Sequence, residues 1–146
     1  MSQKEVQVKI SHQVFQDAGD EHYEVETTGL LTIKGDSVYL AYTEKIDDEG
    51  ETKVIFKLTE KQISLSRHNV TKTRMVFQLG LVEHQPYQTV AGMMLLSTNT
   101  NQLDFTFDES KQAGALDLAY ALSANDQVVG QYQVALQFGP KSSILN

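Results

Sequence analysis

The chain has no cysteine among its 146 residues. This absence excludes disulfide bonds, thiol nucleophiles, thiolate zinc sites and iron–sulfur clusters, since each of them needs a cysteine sulfur. Long apolar runs are missing too, and the start of the chain alternates between apolar and polar residues, so the sequence predicts neither a signal peptide nor a membrane-spanning helix. We therefore expect a cytoplasmic protein with no membrane partner.

Basic residues are outnumbered, with 12 Lys and Arg against 19 Asp and Glu and a net charge of −7. They form no basic block or stripe, so the chain is poorly suited to phosphate backbones, and we expect no nucleic-acid partner. The length and the 40% apolar content are typical of one globular domain with an ordinary core. The prediction is a single domain over residues 1–146, in which residues 140–146 form a loose tail.

Apolar and polar residues alternate with a period of two along almost the whole chain, which indicates half-buried β-strands. The first segment, with Val6, Val8 and Ile10 on one face, sets the pattern for the others. Residues 81–86 are predicted to form a loop and residues 99–101 a turn, and both prolines, Pro86 and Pro140, fall outside the predicted strands. The ten predicted strands cover residues 6–14, 23–33, 38–42, 54–58, 63–65, 75–79, 87–97, 103–107, 116–122 and 128–138.

Short connections between antiparallel strands of this kind favour an all-β fold, an up-and-down antiparallel β-barrel of about eight to ten strands. A sandwich of two stacked sheets is the alternative. The apolar face of each strand is predicted to point inward. The residues expected inside are Val54, Phe56, Leu58, Ile63, Leu65, Met75, Phe77, Leu103, Phe105, Leu118, Tyr120, Val134 and Leu136.

Several short motifs resemble those of the YwiB-like family, small bacterial proteins of unknown function. The resemblance extends from the second predicted strand to the end of the chain, although Asn69 and Val90 stand where family members usually have glycine and often have proline. It implies a calycin-type, lipocalin-like β-barrel and brings no established activity with it. The motifs are VYLAYTE at 38–44, Gly50, Thr52, ISLSRHNVTKTRMVF at 63–77, Gly80, Tyr87-Gln88-Thr89 and Gly92.

Three polar residues interrupt otherwise apolar faces and are predicted to point into the barrel. Glu44 continues the face of Tyr42, Arg67 continues the face of Leu65, and His12 lies on the apolar face of the first strand. A lone buried charge is costly, so Glu44 and Arg67 must pair with each other, meet water, or lie at the open rim of the barrel. In a functional interpretation Arg67 recognises a carboxylate or phosphate on a ligand. In a structural interpretation the two form an ion pair or lie at strand ends in solvent, and His12 is a hydrogen-bonded core residue.

Other signals of chemistry are weak. The sequence has no Gly-x-Ser-x-Gly elbow and no phosphate-binding glycine loop, and its four histidines lack a metal-ligand spacing. The acidic segment 47–51 lacks the pattern of a calcium loop and is interpreted as a hairpin tip. We predict no catalytic residues, no metal and no cofactor. The Met-rich segment 93–96 is expected to fill the core, or else to line an adaptable apolar pocket together with Tyr42, Tyr87, Tyr120 and Tyr132.

Two functions remain open at this point. The first is non-enzymatic binding of a small apolar or amphipathic ligand inside the barrel, with Arg67, Glu44, Tyr42, Tyr87 and His12 as its candidate residues. The alternative is a protein-interaction or structural module whose barrel is filled by its own side chains. A ligand site needs a cavity with a few convergent polar groups, whereas a scaffold does not.

Overall fold

The structure, a computed structural model, describes residues 2–17, 19–46, 50–69, 72–89 and 91–140. These residues form ten β-strands, and they contain no helix that is long and apolar enough to cross a membrane. The strands are β1 Ser2–Phe15, β2 Glu21–Lys34, β3 Ser37–Ile46, β4 Gly50–Leu58, β5 Gln62–His68, β6 Lys72–Gln78, β7 Val82–Thr89, β8 Gly92–Asp108, β9 Ala113–Ala124 and β10 Gln127–Gly139.

All ten strands belong to one antiparallel sheet, in the order β6-β5-β4-β3-β2-β1-β10-β9-β8-β7. Apart from β6 and β7, strands that are consecutive in sequence pair with each other, and a ladder from Gln7↔Gly139 to Phe15↔Gln131 joins the first strand to the last. The sheet therefore curls into a nearly closed barrel, with β6 and β7 as its two edges. The predicted all-β, up-and-down barrel is confirmed.

The core lies on the inner face of this sheet. Every residue predicted to point inward is buried or partly buried, and Phe56, Phe77 and Leu136 are at most 1% exposed. Polar residues between them, such as Lys57 and Gln137, face solvent. Because a one-residue slip would exchange the two faces of a strand, this agreement shows that the predicted side-chain direction is right for these strands.

Among the residues that the structure describes, no ladder of backbone hydrogen bonds joins β6 to β7, and side chains close this seam instead. The Thr98 hydroxyl of β8 donates a hydrogen bond to the carbonyl oxygen of Val76 on β6 at 3.1 Å. Behind it, the ring of Phe77 on β6 packs on Tyr120 of β9, with ring centroids 4.5 Å apart. The barrel is thus completed by packing across the seam rather than by strand pairing.

A second opening divides β2 from β3. Their ladder runs from Lys34↔Ser37 to Leu30↔Ala41 and stops there, although both strands continue. Gly29 lies where the strands part, and a Cβ atom at this position would come within 2.8 Å of the Ala41 carbonyl oxygen. An outer groove of about 450 Å³ runs along this split, with Leu30 and Ile55 in its lining. One end of the barrel is therefore open along its side.

Two predicted connections are wrong. Residues 82–86, predicted as a loop, belong to β7, and Pro86 lies inside that strand. A proline is tolerated there because β7 is an edge strand. On the open side of an edge strand, the N–H that proline lacks would have no ladder to join. The predicted turn at 99–101 lies inside β8, where the register shifts between Thr100 and Gln102. This β-bulge moves the inward face from even to odd residue numbers.

The Met-rich segment is also placed differently from the prediction. Met93 and Leu95 are 63% and 42% exposed, so they neither fill the core nor line an interior pocket. They lie on the part of the β7–β8 hairpin that precedes Leu96, where the pairing of β8 with β9 begins. The hairpin therefore projects past the end of β9. Of the predicted tail, residues 141–146 lie outside the described part of the chain.

Candidate functional site

Polar inward-facing side chains collect at one end of the barrel. This end, called the polar end below, is where the β1–β2, β3–β4 and β5–β6 connections lie. The split between β2 and β3 opens toward the same end, since the two strands separate beyond Leu30 and Ala41. Strand alternation turns Glu44 of β3 and Arg67 of β5 inward here, as it does His12 of β1.

An ion pair is at the centre of this end. Arg67 Nη2 donates a hydrogen bond to Glu44 Oε2 at 2.9 Å. The Glu44 side chain is 1% exposed and the Arg67 side chain 26% exposed, so the carboxylate is buried while the guanidinium reaches toward solvent. Burial lowers the pKa of Arg67, but the hydrogen bond and the charge of Glu44 outweigh this effect and raise the pKa overall. Arg67 is therefore charged at any physiological pH.

The second oxygen of Glu44 is held by Tyr42. The Tyr42 hydroxyl donates to Glu44 Oε1 over 3.4 Å, a long hydrogen bond between two buried residues. Burial, together with the nearby negative charge of Glu44, raises the pKa of Tyr42. The hydroxyl thus keeps its proton and donates it to the carboxylate in a hydrogen bond. Both oxygens of Glu44 therefore have hydrogen-bond donors, and these lie on β3 and β5.

His12 on β1 completes the cluster from the other side of the split between β2 and β3. Its ring stacks on Tyr23 at a centroid distance of 4.5 Å, and the residue is 8% exposed. Within the described part of the chain, its Nε2 atom is buried and has no hydrogen-bond partner. Burial lowers the pKa of His12 to about 4, although the charge of Glu44 acts in the opposite direction. The imidazole is therefore neutral and leaves one polar nitrogen unsatisfied.

Four aromatic rings form a wall on the strands β2, β1, β10 and β9, which are consecutive in the sheet. This aromatic wall consists of Tyr23, His12, Tyr132 and Tyr120, and the last two stack with centroids 5.1 Å apart and planes 6° from parallel. Burial raises the pKa of Tyr120, so its hydroxyl is protonated. The wall lies on one side of the split between β2 and β3, and the Glu44–Arg67 pair lies on the other.

Four of the five predicted site residues come together, namely Arg67, Glu44, Tyr42 and His12. The fifth, Tyr87, lies on the edge strand β7 opposite Met94, and within the described residues no hydrogen bond or ring contact connects it to the cluster. This set of five lacked the tyrosines of the aromatic wall, of which Tyr120 and Tyr132 were expected only as possible lining of an apolar pocket. Tyr23 shares the inward face of Val25 and Leu31, so the alternation of β2 could have revealed it.

Cavities lined by described residues occur away from this cluster, and the outer groove along the split touches it only at Tyr42. One of about 500 Å³ lies at the opposite end of the barrel, beside Val38 and Phe105, and one of about 380 Å³ lies near Phe138. Arg67 lines neither of them. Within the described part of the chain no three His, Asp or Glu side chains converge as metal ligands, and the acidic residues 47–49 fall outside it.

The burial of neutral His12 has a consequence for stability. In the unfolded chain its pKa returns to the ordinary value of 6.5, whereas the folded protein holds it near 4. Between these values the unfolded state binds more protons, so stability falls as pH falls. We expect His12 to account for a loss of about 2 kcal/mol in the free energy of unfolding between pH 7 and pH 5.

Urea titrations of the native protein and of His12→Phe at several pH values measure this effect. Phenylalanine preserves the stacking on Tyr23 but cannot be protonated, so the difference between the two proteins should grow as pH falls. His68→Phe is the matched control, because His68 is exposed. An unchanged pH dependence in His12→Phe would contradict the prediction.

Comparison with known proteins places the chain in a family. It belongs to the family described as Domain of unknown function (DUF1934), which matches residues 8–136. It is 31% identical over 111 residues to the uncharacterized beta-barrel protein YwiB of Bacillus subtilis (strain 168), covering 76% of each chain. The crystal structure of the ywiB protein from Bacillus subtilis matches with a TM-score of 0.79 and 23% identity, over 94% of this chain and 92% of that one.

These matches confirm the resemblance to YwiB-like proteins and, for the structure, the fold. The chain is a β-barrel protein of a family whose function is unknown. Its polar end is therefore described from its own geometry.

Proposed function

We propose that the protein binds a small amphipathic molecule at the polar end of its barrel and performs no chemistry on it. The observation that carries this proposal is the buried Nε2 atom of His12, which has no hydrogen-bond partner in the described part of the chain. Leaving a buried polar nitrogen unpaired costs about 1–3 kcal/mol. A ligand with a polar group beside His12 would recover that cost.

The charge distribution gives such a ligand a second contact. Arg67 uses one N–H to reach Glu44 and is partly exposed, so part of its planar guanidinium faces the opening. A guanidinium has five N–H donors. The donors that Glu44 does not occupy are available to an acceptor that enters the polar end.

The aromatic wall suits the apolar part of the same molecule. Tyr23 is 43% exposed and stacks on His12, while Tyr132 is partly exposed and stacks on the buried Tyr120. Aromatic faces next to a few fixed polar groups are typical of small-molecule sites. The middle of the barrel is filled by buried apolar side chains, so the proposed ligand occupies the polar end and not the whole interior.

The same residues are the reason why we propose binding without catalysis. Glu44 is held between Arg67 and Tyr42, which leaves it poorly placed to accept a proton from a substrate. His12 is neutral, but it stacks on a tyrosine and hydrogen-bonds no nucleophile in the described residues. We also propose that the protein is cytoplasmic, in keeping with its acidic, cysteine-free composition.

A protein-interaction role is the second candidate, and a different feature favours it. Leu79, Leu81 and Val82 are 56%, 46% and 52% exposed around the β6–β7 connection, where the two edges of the sheet lie. Exposed apolar residues beside unpaired strand edges are suited to a protein partner. This candidate does not need the polar end.

Native mass spectrometry after gentle purification from bacterial cells tests the first candidate. The native protein should carry a small molecule that is absent from Arg67→Gln and from His12→Phe. Arg74→Gln is the matched control, because Arg74 is the other arginine of the chain and is exposed on β6. A native protein that is free of ligand, or a ligand retained equally by all variants, would contradict the proposal.

A further inference from the structure

The ion pair at the polar end limits the charge of the proposed ligand. Arg67 Nη2 and Glu44 Oε2 are 2.9 Å apart, so the one guanidinium that the described residues place on the inner face at this end is already neutralised by a buried carboxylate. An incoming carboxylate or phosphate would compete with Glu44 for one positive charge, in a place where water screens poorly. Like charges that share such a site repel each other strongly.

Further positive charge to balance an anion is lacking nearby. Among the described residues, Arg67 is the one basic side chain on the inner face at the polar end, since Lys45, Lys53 and Arg74 lie at outward-facing positions and are exposed. His12 is buried and neutral and contributes no charge. Beyond the effect of burial, the negative charge of Glu44 raises the pKa of Tyr23 more than Arg67 lowers it, and Glu21 adds a weaker negative influence at Tyr23 and acts on Tyr132 as well.

The polar groups that do remain free suit an uncharged partner. The free donors of Arg67 can bind a carbonyl oxygen. The Nε2 atom of His12 either donates or accepts one hydrogen bond, depending on the tautomer, as an amide or a ring lactam would require. His12 belongs to the aromatic wall, whose rings pack well against a flat molecule.

We propose that the polar end selects a flat ligand with an uncharged polar head, such as an amide or lactam, and discriminates against carboxylates and phosphates. This inference rests on the proposed function and specifies its ligand class. It replaces the expectation, drawn from the sequence, that Arg67 binds an anionic group. In this arrangement Glu44 is the residue that determines specificity, because its charge sets the charge that the ligand can have.

A pair of probes that differ only in charge tests the inference, namely 2-naphthamide and 2-naphthoate. Binding is followed through the two arginine Nε–H signals and the histidine ring signals in NMR spectra, with Arg74 as an internal control. The native protein should bind the amide at least about tenfold more tightly than the carboxylate. Glu44→Gln should reverse the order, because it leaves Arg67 uncompensated while preserving the shape of the side chain.

The outcomes separate the two proposals. If the carboxylate binds as tightly as the amide, or more tightly, the inference is wrong and the proposed function stands. If neither probe moves the Arg67 and His12 signals at millimolar concentration, and no molecule copurifies, both are wrong. If Glu44→Gln unfolds, Glu44→Asp serves instead, and it should keep the preference for the amide because the charge is retained.

Discussion

Replacing Arg67 with methionine should lower the free energy of unfolding by about 3–5 kcal/mol, the usual cost of removing one partner from a buried ion pair. The reason is the burial of Glu44, whose side chain is 1% exposed and whose Oε2 loses its 2.9 Å hydrogen bond. Tyr42 would remain as its one donor among the described residues, and that bond is long at 3.4 Å. Urea unfolding followed by far-ultraviolet circular dichroism measures the loss.

The double variant Arg67→Met with Glu44→Leu is the informative comparison. It removes both charges, so no carboxylate is left without a partner, and its loss should be much smaller than that of Arg67→Met. Arg74→Met, at an exposed position on β6, should be nearly neutral and controls for the loss of an arginine. Equal losses in the single and double variants would show that removing the buried carboxylate relieves nothing, and would contradict the prediction.

The same variants separate a structural ion pair from a binding residue. If Arg67 serves stability alone, the double variant should regain stability and ligand retention together. If it contacts a ligand, the double variant should regain stability and still fail to retain the ligand. Stability and copurified ligand must therefore be measured on the same preparations.

Strand alternation was enough to predict which side chains point inward. Residues two apart in an unbulged strand share a face, so Glu44 follows Tyr42 and Arg67 follows Leu65, and both were predicted inside. Their contact was one of the alternatives predicted from the cost of a lone buried charge, and the sequence alone did not choose among them. The two residues lie on β3 and β5, with β4 between them, and their side chains meet across that strand.

The errors arose where local rules were overridden by the position of a strand in the sheet. Pro86 was interpreted as a sign of a loop, but at an edge strand its missing N–H interrupts no ladder. The polar segment around Asn101 resembles a turn because the β-bulge breaks the alternation there. Neither feature is visible until the neighbours of β7 and β8 are known.

The aromatic wall was missed for a related reason. Tyr23 and His12 face each other through the β1–β2 register, and Tyr132 faces Tyr120 through the β9–β10 register. A shift of two residues in either hairpin would preserve every buried face and separate the rings. The apolar pattern of a strand therefore predicts its faces, while the ring pairs depend on loop lengths that the sequence leaves open.

Replacing Phe77 with alanine should lower the free energy of unfolding by about 3–5 kcal/mol, the range for a buried phenylalanine. Phe77 is fully buried, and its ring lies 4.5 Å from that of Tyr120, across the seam that has no backbone ladder. Its loss should also open the seam, because the described links that remain near it would be two hydrogen bonds, Thr98 to Val76 and Gly80 N–H to the Thr100 oxygen. Phe77→Leu should cost about 1 kcal/mol, since it keeps most of the volume.

Phe56→Ala is the matched control, because Phe56 is equally buried but lies on β4, which is paired on both sides. Both alanine variants should lose a similar amount of global stability, whereas only Phe77→Ala should speed hydrogen exchange at the amides of β6 and of Thr98 under native conditions. Since local opening sets exchange where stability is lowest, exchange that rises equally in both variants would show that packing of Phe77 does not close the seam. The aromatic contact would then be part of the general core, and the barrel would need another explanation for how its two edges are held together.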